Sequence, residues 1–367
     1  MAVQVTCSIF ACNNYFPVTF TITMKKIVFI LLAFIFLAAC KNKKNIPDVS
    51  GIKVNITLER FDKDFFLIDS NNVLLGLNRL DEKYPLLTSI FLNNILGLDS
   101  ASTLPGVKRF IHLSQPIYNS VTDVFNSTDP LKKDFQKAFQ FVKYYFPNYK
   151  LPEKICTVAG PIDGLAQTAN GETPDFLGPD FLGISLQFYL GKNFSAYKDP
   201  FFIDNVAPEY RSRRFSKEYI VADGMQLIVD DLFPDNSKNK PLIDQMLERG
   251  KQWWLLDRFL PETPDSIKTG YTQQQLDWCK ENEGLIWSYI IKNENLNSLD
   301  PTTIQTYIGE GPFTQGFSQE LSPGNIGQWI GWQIVKKFAA NNPKLKAEEV
   351  MQSTPKKILE EAKYKPK

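Results

Sequence analysis

A chain of 367 residues with 41 basic and 40 acidic side chains carries a formal charge of only +1, which leaves no electrostatic footprint for nucleic acid. Its single histidine, His112, excludes a zinc site built on two or three imidazoles and leaves Ser-His-Asp or Cys-His chemistry one ring to work with. The length allows a sizeable core in one large domain or two small ones, and aromatics at 13% of residues suit a packed globular body.

Residues 1–23 contain no Lys, Arg, Asp or Glu and read as an overextended start rather than a structural element. Met24 then opens MKKIVFILLAFIFLAAC, two lysines followed by thirteen residues without a polar side chain, Ile27 to Ala39. That length suits the apolar region of a signal peptide and falls short of the roughly 20 residues that span a bilayer. The ending Leu37-Ala38-Ala39-Cys40 resembles the bacterial lipobox, after which the cysteine is lipidated and becomes the new N-terminus. Residues 24–39 are therefore expected to be a lipoprotein signal peptide and Cys40 the lipidated residue. Losing Lys25 and Lys26 with the leader turns the formal charge from +1 to −1. Residues 40–50 read as a polar tether, and 51–367 as the globular domain. Within it, Cys156 and Cys279 could form one disulfide in an oxidising compartment, but their spacing does not say whether they meet.

In IKVNITLERFDKDFF, Ile52, Val54, Ile56 and Leu58 alternate with polar neighbours, the period of a half-buried strand. KYPLLTSIFLNNILGL and DPLKKDFQKAFQFVKYYFPNY space their apolar residues three and four apart, as amphipathic helices do. KICTVAG (154–160) and GISLQFYLG (183–191) read as strands. Between them PDFLG occurs twice in tandem, at 174–178 and 179–183. A repeat this short, with Pro and Gly, is a loop or hairpin device and not a solenoid unit. From residue 200 the pattern is mainly helical. SKEYIVADGMQLIVDDLFP has Ser216 as its candidate N-cap, KPLIDQMLERGKQWWLLDRFLP stops before Pro261, and YTQQQLDWCKENEGLIWSYIIKN has Thr272 as its candidate cap. In NIGQWIGWQIVKKFAANN, Ile326, Ile330, Ile334 and Phe338 form one stripe, while Gly327 and Gly331 share a second face that would let another element approach closely. Ser353 or Thr354 is placed to cap a last short helix. The fold class expected is α+β, predominantly helical, with a small antiparallel sheet near the front.

Paired carboxylates for acid–base work are available at Asp230-Asp231, Glu281 with Glu283, and Glu218 with Asp223, though solvated helix faces explain such pairs as well. The chain lacks a P-loop, a dinucleotide fingerprint and a GxSxG elbow. One arrangement has the outline of a zincin metallopeptidase, in which HExxH on one helix and an acidic ligand on a later helix bind Zn²⁺. Overlaying KEYIV (217–221) and ERGKQWW (248–254) puts Lys217 and Val221 where imidazoles belong, Glu218 at the base position and Arg249 before the later Gly. An ammonium, an aliphatic chain and a guanidinium cannot hold Zn²⁺, so no metal or other cofactor is expected. Trp253, Trp254, Trp329 and Trp332 are candidate interface residues, with core packing as the other explanation.

Taken together, IPDVSGIKVNITLERFDKDFF, QFYLGKNFSAY, PEYRSRRFSKEYIVADG, the lysine-tryptophan helix ERGKQWWLLDRFLPETPDSIKTGYTQQQLDWCKENEGLIWSYI, and GPFTQGFSQELSPGNIGQWIGWQIVKKF resemble the GldB family of gliding-motility lipoproteins of Bacteroidetes. The resemblance runs from the lipobox to the C-terminus. It implies a degenerate zincin-like peptidase fold that has lost its metal ligands, and a non-enzymatic envelope lipoprotein. It also implies partners among gliding-motility proteins and the type IX secretion machinery. Surface-exposed lipoproteins of these bacteria tend to carry acidic residues behind the lipidated Cys, whereas Lys41, Lys43 and Lys44 stand here, which points to a periplasm-facing anchor. Basic residues near anionic lipid gain about 1 kcal/mol each. The competing readings are a periplasmic glycosidase-like hydrolase working with two carboxylates, and a ligand-binding lipoprotein with a deep apolar pocket.

Overall fold

Behind a turn in which the Ile52 N–H donates to the Val49 carbonyl at 2.9 Å, residues 52–59 enter the body with Val54 and Ile56 buried and Lys53, Asn55 and Thr57 exposed, the alternation expected there. The computed structural model describes residues 46–168 and 171–367, together with two three-residue strands nearer the N-terminus. The signal peptide read at 24–39, and Cys40, lie outside the described residues. Two units are distinguished, 1–48 and 49–367. In the first, β1 (Val3–Val5) pairs antiparallel with β2 (Phe20–Ile22).

In the second unit only Thr57–Glu59 of the alternating run joins a sheet, as β3. The carbonyls of Ile52 and Val54 instead accept from the side chains of Gln140 and Gln136, at 2.9 and 3.1 Å. The strand reading fails beyond Arg60, where FDKDFF forms helix α1 (Phe61–Phe66). Phe61 and Phe65, four apart, both turn into the core, and their packing overrides the alternation upstream. Helices α2 (Val73–Lys83), α3 (Pro85–Ser89, running into a π-turn at Ile90–Ile95), α4 (Thr103–Val124) and α5 (Asp129–Tyr145) follow. Phe91 from the π-turn meets Phe61 and Phe65 edge-on, with ring centroids 5.1 and 4.8 Å apart, in a core shared with Leu77, Leu80, Leu87 and Val107.

The main sheet contains β3, β4 (Lys154–Val158), β8 (Phe181–Ser185) and β7 (Phe176–Leu177) in that order. A separate antiparallel pair, β5 (Ala166–Thr168) with β6 (Gly171–Thr173), stands between β4 and β7 in the chain. The sheet is mixed, which corrects the antiparallel expectation: β3–β4 and β4–β8 are parallel and only β7–β8 is antiparallel. The α1–α5 excursion supplies the long crossover that a parallel pair requires. The PDFLG tandem is the β7–β8 hairpin itself. Phe176 pairs with Gly183 and Leu177 with Leu182, and the Gly178 N–H donates to the Phe181 carbonyl. Each phenylalanine covers the glycine of the other copy, and a Cβ on Gly178 or Gly183 would collide with that ring.

The helical part comprises α6 (Pro200–Asn205), α7 (Glu209–Ser212), α8 (Ile220–Leu232), α9 (Leu242–Phe259), α10 (Asp265–Thr269), α11 (Gln273–Glu281), α12 (Glu283–Asn293), α13 (Pro301–Ile308), α14 (Ile326–Asn341), α15 (Ala347–Gln352) and α16 (Pro355–Ala362). Helix α9 is buried on nearly every face, as a helix without a dominant polar side must be, and it packs against α5, α8, α10 and α13–α16. Its crossing with α14 is a backbone contact at Gly250 and Gly331, where a Cβ on either glycine would overlap main-chain atoms of the other helix. The Thr272 cap forms as a full capping box, with Gln275 N–H donating to Thr272 Oγ1 at 3.1 Å and Thr272 N–H to Gln275 Oε1 at 2.9 Å. Thr354 caps α16. Ser216 makes no side-chain cap, and a 3₁₀ turn at Lys217–Tyr219 precedes α8. The helix expected over 271–293 breaks at Asn282 into α11 and α12.

The Gly331→Ala change should lower stability by about 3 kcal/mol or more, because main chain cannot yield as a side chain does. The control Gly51→Ala, which meets nothing within 4 Å, should leave the urea midpoint in place; equal midpoints for the two variants would refute the contact.

Candidate functional site

The 3₁₀ turn at Lys217–Tyr219 separates two hollows on the body. One, of about 680 Å³, has apolar walls from α5 (Leu131, Ala138, Phe141), the start of α8 (Ile220, Val221) and the segment after α9 (Leu260, Pro261, Ile267). Asp134, Lys137, Lys217, Glu218 and Glu262 stand among its lining. Lys137 and Glu262 form an ion pair there, and Lys217 Nζ donates to the Val124 carbonyl at 3.4 Å. The other hollow, about 780 Å³, is more polar and shares Glu218; Phe194, Arg213, Tyr219 and Tyr271 contribute to it. The Arg213 guanidinium is spent on the Gly270 carbonyl.

Of the zincin-like positions, Lys217, Glu218 and Val221 line the first cavity. Arg249 does not join them. It lies on α9 ten residues before Phe259, about 15 Å along the axis, and pairs with Asp235 at 3.2 Å. Among the described residues no group of three His, Cys, Asp or Glu is placed to hold a metal.

Three of the four tryptophans read as interface candidates pack in the core instead. Trp254, Trp329 and Trp332 are 4, 1 and 1% exposed, because the close α9–α14 crossing draws their rings into the core. Trp253 is half-buried, edge-on to both Tyr271 and Trp332. His112 is exposed on α4. Carboxylates of the sequence pairs are held by partners of their own: Asp231 accepts from the Tyr149 hydroxyl at 2.7 Å, Asp230 from Gln226 at 2.8 Å and Glu283 from the Tyr364 hydroxyl at 2.6 Å. Glu218 is exposed at the hollows, whereas Asp223 has turned inward.

A cluster unread from sequence lies behind Asp223. Asp175, just ahead of β7, accepts the Ser185 N–H on Oδ1 at 2.9 Å. Its Oδ2 is 2.7 Å from the Tyr189 hydroxyl, which is also 3.1 Å from Asp223 Oδ2. Burial pushes Asp175 up to about 8 and Asp223 up to about 6, the latter against the opposing pull of the Arg214 guanidinium. Arg214 in turn bonds Glu310 at 2.7 Å, and Arg211 holds Glu172 of β6 at 2.6 Å. The signal available was one aspartate in each PDFLG copy, with nothing local to tell them apart.

A family model described as gliding motility protein GldB matches residues 42–366. No curated protein and no solved structure matches the chain.

Cys156 in β4 and Cys279 in α11 are both buried free thiols. Burial pushes Cys156 up to about 12 and Cys279 up as well, so neither offers a thiolate near neutrality. In a chain beginning at Lys41, a water-soluble thiol reagent should label neither residue in the native state and both in denaturant. Rapid native labelling would contradict this burial.

Proposed function

The chain belongs to the GldB family of gliding motility proteins, and from this we propose that it is a non-enzymatic, lipid-anchored envelope protein that scaffolds or stabilises motility components and the associated type IX secretion machinery. The observation that carries this reading is the extent of the family match, which begins two residues behind Cys40 and takes in almost all of the body. Lipidation at Cys40 would then tether the domain through the short polar segment 40–50, with Lys41, Lys43 and Lys44 in place of acidic residues favouring a periplasm-facing anchor. No helix among the described residues is long and apolar enough to cross a membrane.

The chemistry of the cavity beside Glu218 favours holding over transforming. Catalysis by a nucleophile needs a base within hydrogen-bond reach of it. The polar contacts at this rim are the Lys137–Glu262 pair and the Lys217 bond to Val124, and neither activates a nucleophile. Lys217 and Val221, at the positions where a zincin needs imidazoles, offer no lone pair of the required kind. Apolar walls of this size suit a partner's side chain, which supports reading the cavity as the place where a motility component docks.

Two measurements test the reading. Cys40→Ala should move the protein from the membrane fraction to the soluble fraction. A photo-crosslinker at Val221, in the intact envelope, should capture motility or secretion components. Retention of the Cys40→Ala chain on membranes would remove the anchor, and capture of none of these components would remove the scaffold role. Elemental analysis of the purified protein should find no stoichiometric zinc; one Zn²⁺ per chain would overturn the non-enzymatic assignment.

A further inference from the structure

The buried cluster behind α8 contains more acceptors than its visible protons can serve. Tyr189 and Asp175 are fully enclosed, each 0% exposed, and the Tyr189 oxygen stands 2.7 Å from Asp175 and 3.1 Å from Asp223. A phenol has one proton to donate. With both carboxyls ionised, one of those two contacts would set lone pair against lone pair around a hydroxyl that is itself sealed from solvent, where an unpaired charge is costly. The surroundings distinguish the two acids. The Asp175 carboxyl contacts the Ser185 N–H and the Tyr189 hydroxyl, and the charge acting on it is the like charge of Asp223. Asp223 faces Arg214, with Glu310 and Tyr219 behind it.

We infer that Asp175 is held as a neutral carboxylic acid whose proton closes a directed chain: Asp175 O–H donates to Tyr189 Oη, and Tyr189 O–H donates to Asp223, which is ionised beside Arg214. This single proton latches the β7–β8 hairpin and the turn carrying Tyr189 onto α8. Removing it leaves two carboxylates across one hydroxyl, repelling each other and competing for its hydrogen.

The direction of the pH effect follows. An aspartate in an unfolded chain titrates near 3.9, while burial keeps the proton on Asp175 up to about 8. The folded state therefore binds more protons than the unfolded one between these values. The latch contributes fully at acid pH and loses its contribution as pH rises toward 8, the reverse of the usual salt-bridged carboxylate.

The test is Asp175→Asn, whose amide oxygen can still accept from Ser185 and whose NH₂ replaces the acid proton permanently. The unfolding constant of the wild-type chain relative to D175N should rise roughly tenfold per pH unit between about pH 5 and 7. A ratio that stays flat with pH overturns the proposal. Infrared spectra of the folded wild-type chain give a second readout that does not depend on the variant folding. A protonated-carboxyl C=O band at about pH 7, above the range in which Asp223 titrates, that disappears by about pH 9 supports the latch, and absence of such a band overturns it.

Discussion

The body is organised by a contact in which two helices meet main chain to main chain. At Gly250 and Gly331 no side chain separates α9 from α14, and the Met246 carbonyl sits where a methyl on Gly331 would fall. Such proximity brings the flanking side chains within dispersion range along a long seam. Trp329 and Trp332 disappear into that seam, and Lys336 lies over the Trp332 ring with its nitrogen 3.3 Å from the centroid. The geometry then propagates outward. Because α9 is fixed by its middle, its C-terminal end at Phe259 has a defined place, and the segment after it walls the cavity beside Glu218.

Polar pins hold the surrounding short helices to this axis. Lys251, although buried, donates to the Met351 carbonyl at 2.8 Å and pairs with Glu248 at 2.6 Å; its charge sits at the C-terminal end of α15, where the helix dipole welcomes a cation. Lys268 is enclosed between Asp257 and Asp265, tying α10 to α9. At the sheet, Arg60 bonds Asp62 twice, and Asp62 also accepts from the Thr157 hydroxyl. Buried pairs of this kind return little net stability once desolvation is counted. Removing one partner would strand the other, so they restrict where each short element can sit.

Much of the helical half was legible because its periodic runs are long. The segment 326–341 carries a stripe that a helix can bury, 242–259 is apolar over a helical length, and Thr272 stands where a cap for α11 belongs. The glycine face of α14 was legible for a similar reason, since two glycines four apart on a buried helix ask for a close neighbour. The failures are equally physical. Strand direction is set by how the chain returns, and the excursion through α1–α5 made β3 and β4 parallel. A six-residue helix at 61–66 is too short for its period to outweigh the alternation before it. Lys217, Glu218 and Val221 could be grouped because they share one turn, whereas Arg249 lies along a different stretch of α9. Tyr189 and Asp175 meet through a hairpin and a turn, and that closure leaves no spacing rule in the sequence.

The tandem PDFLG carries a separate implication about how context assigns identity. Its two aspartates occupy the same place in the same five-letter word, so a reader confined to a short window must give them one role. The hairpin gives them two: Asp175 is sealed among Tyr189, Ser185 and Asp223, while Asp180 lies at the exposed turn, lending its carbonyl to the amides of Glu153 and Lys154. A duplicated segment that folds onto itself in antiparallel fashion faces opposite surroundings at its two ends. Repetition of the letters has thus produced asymmetry of chemistry, with one copy committed to the interior and the other left at the surface.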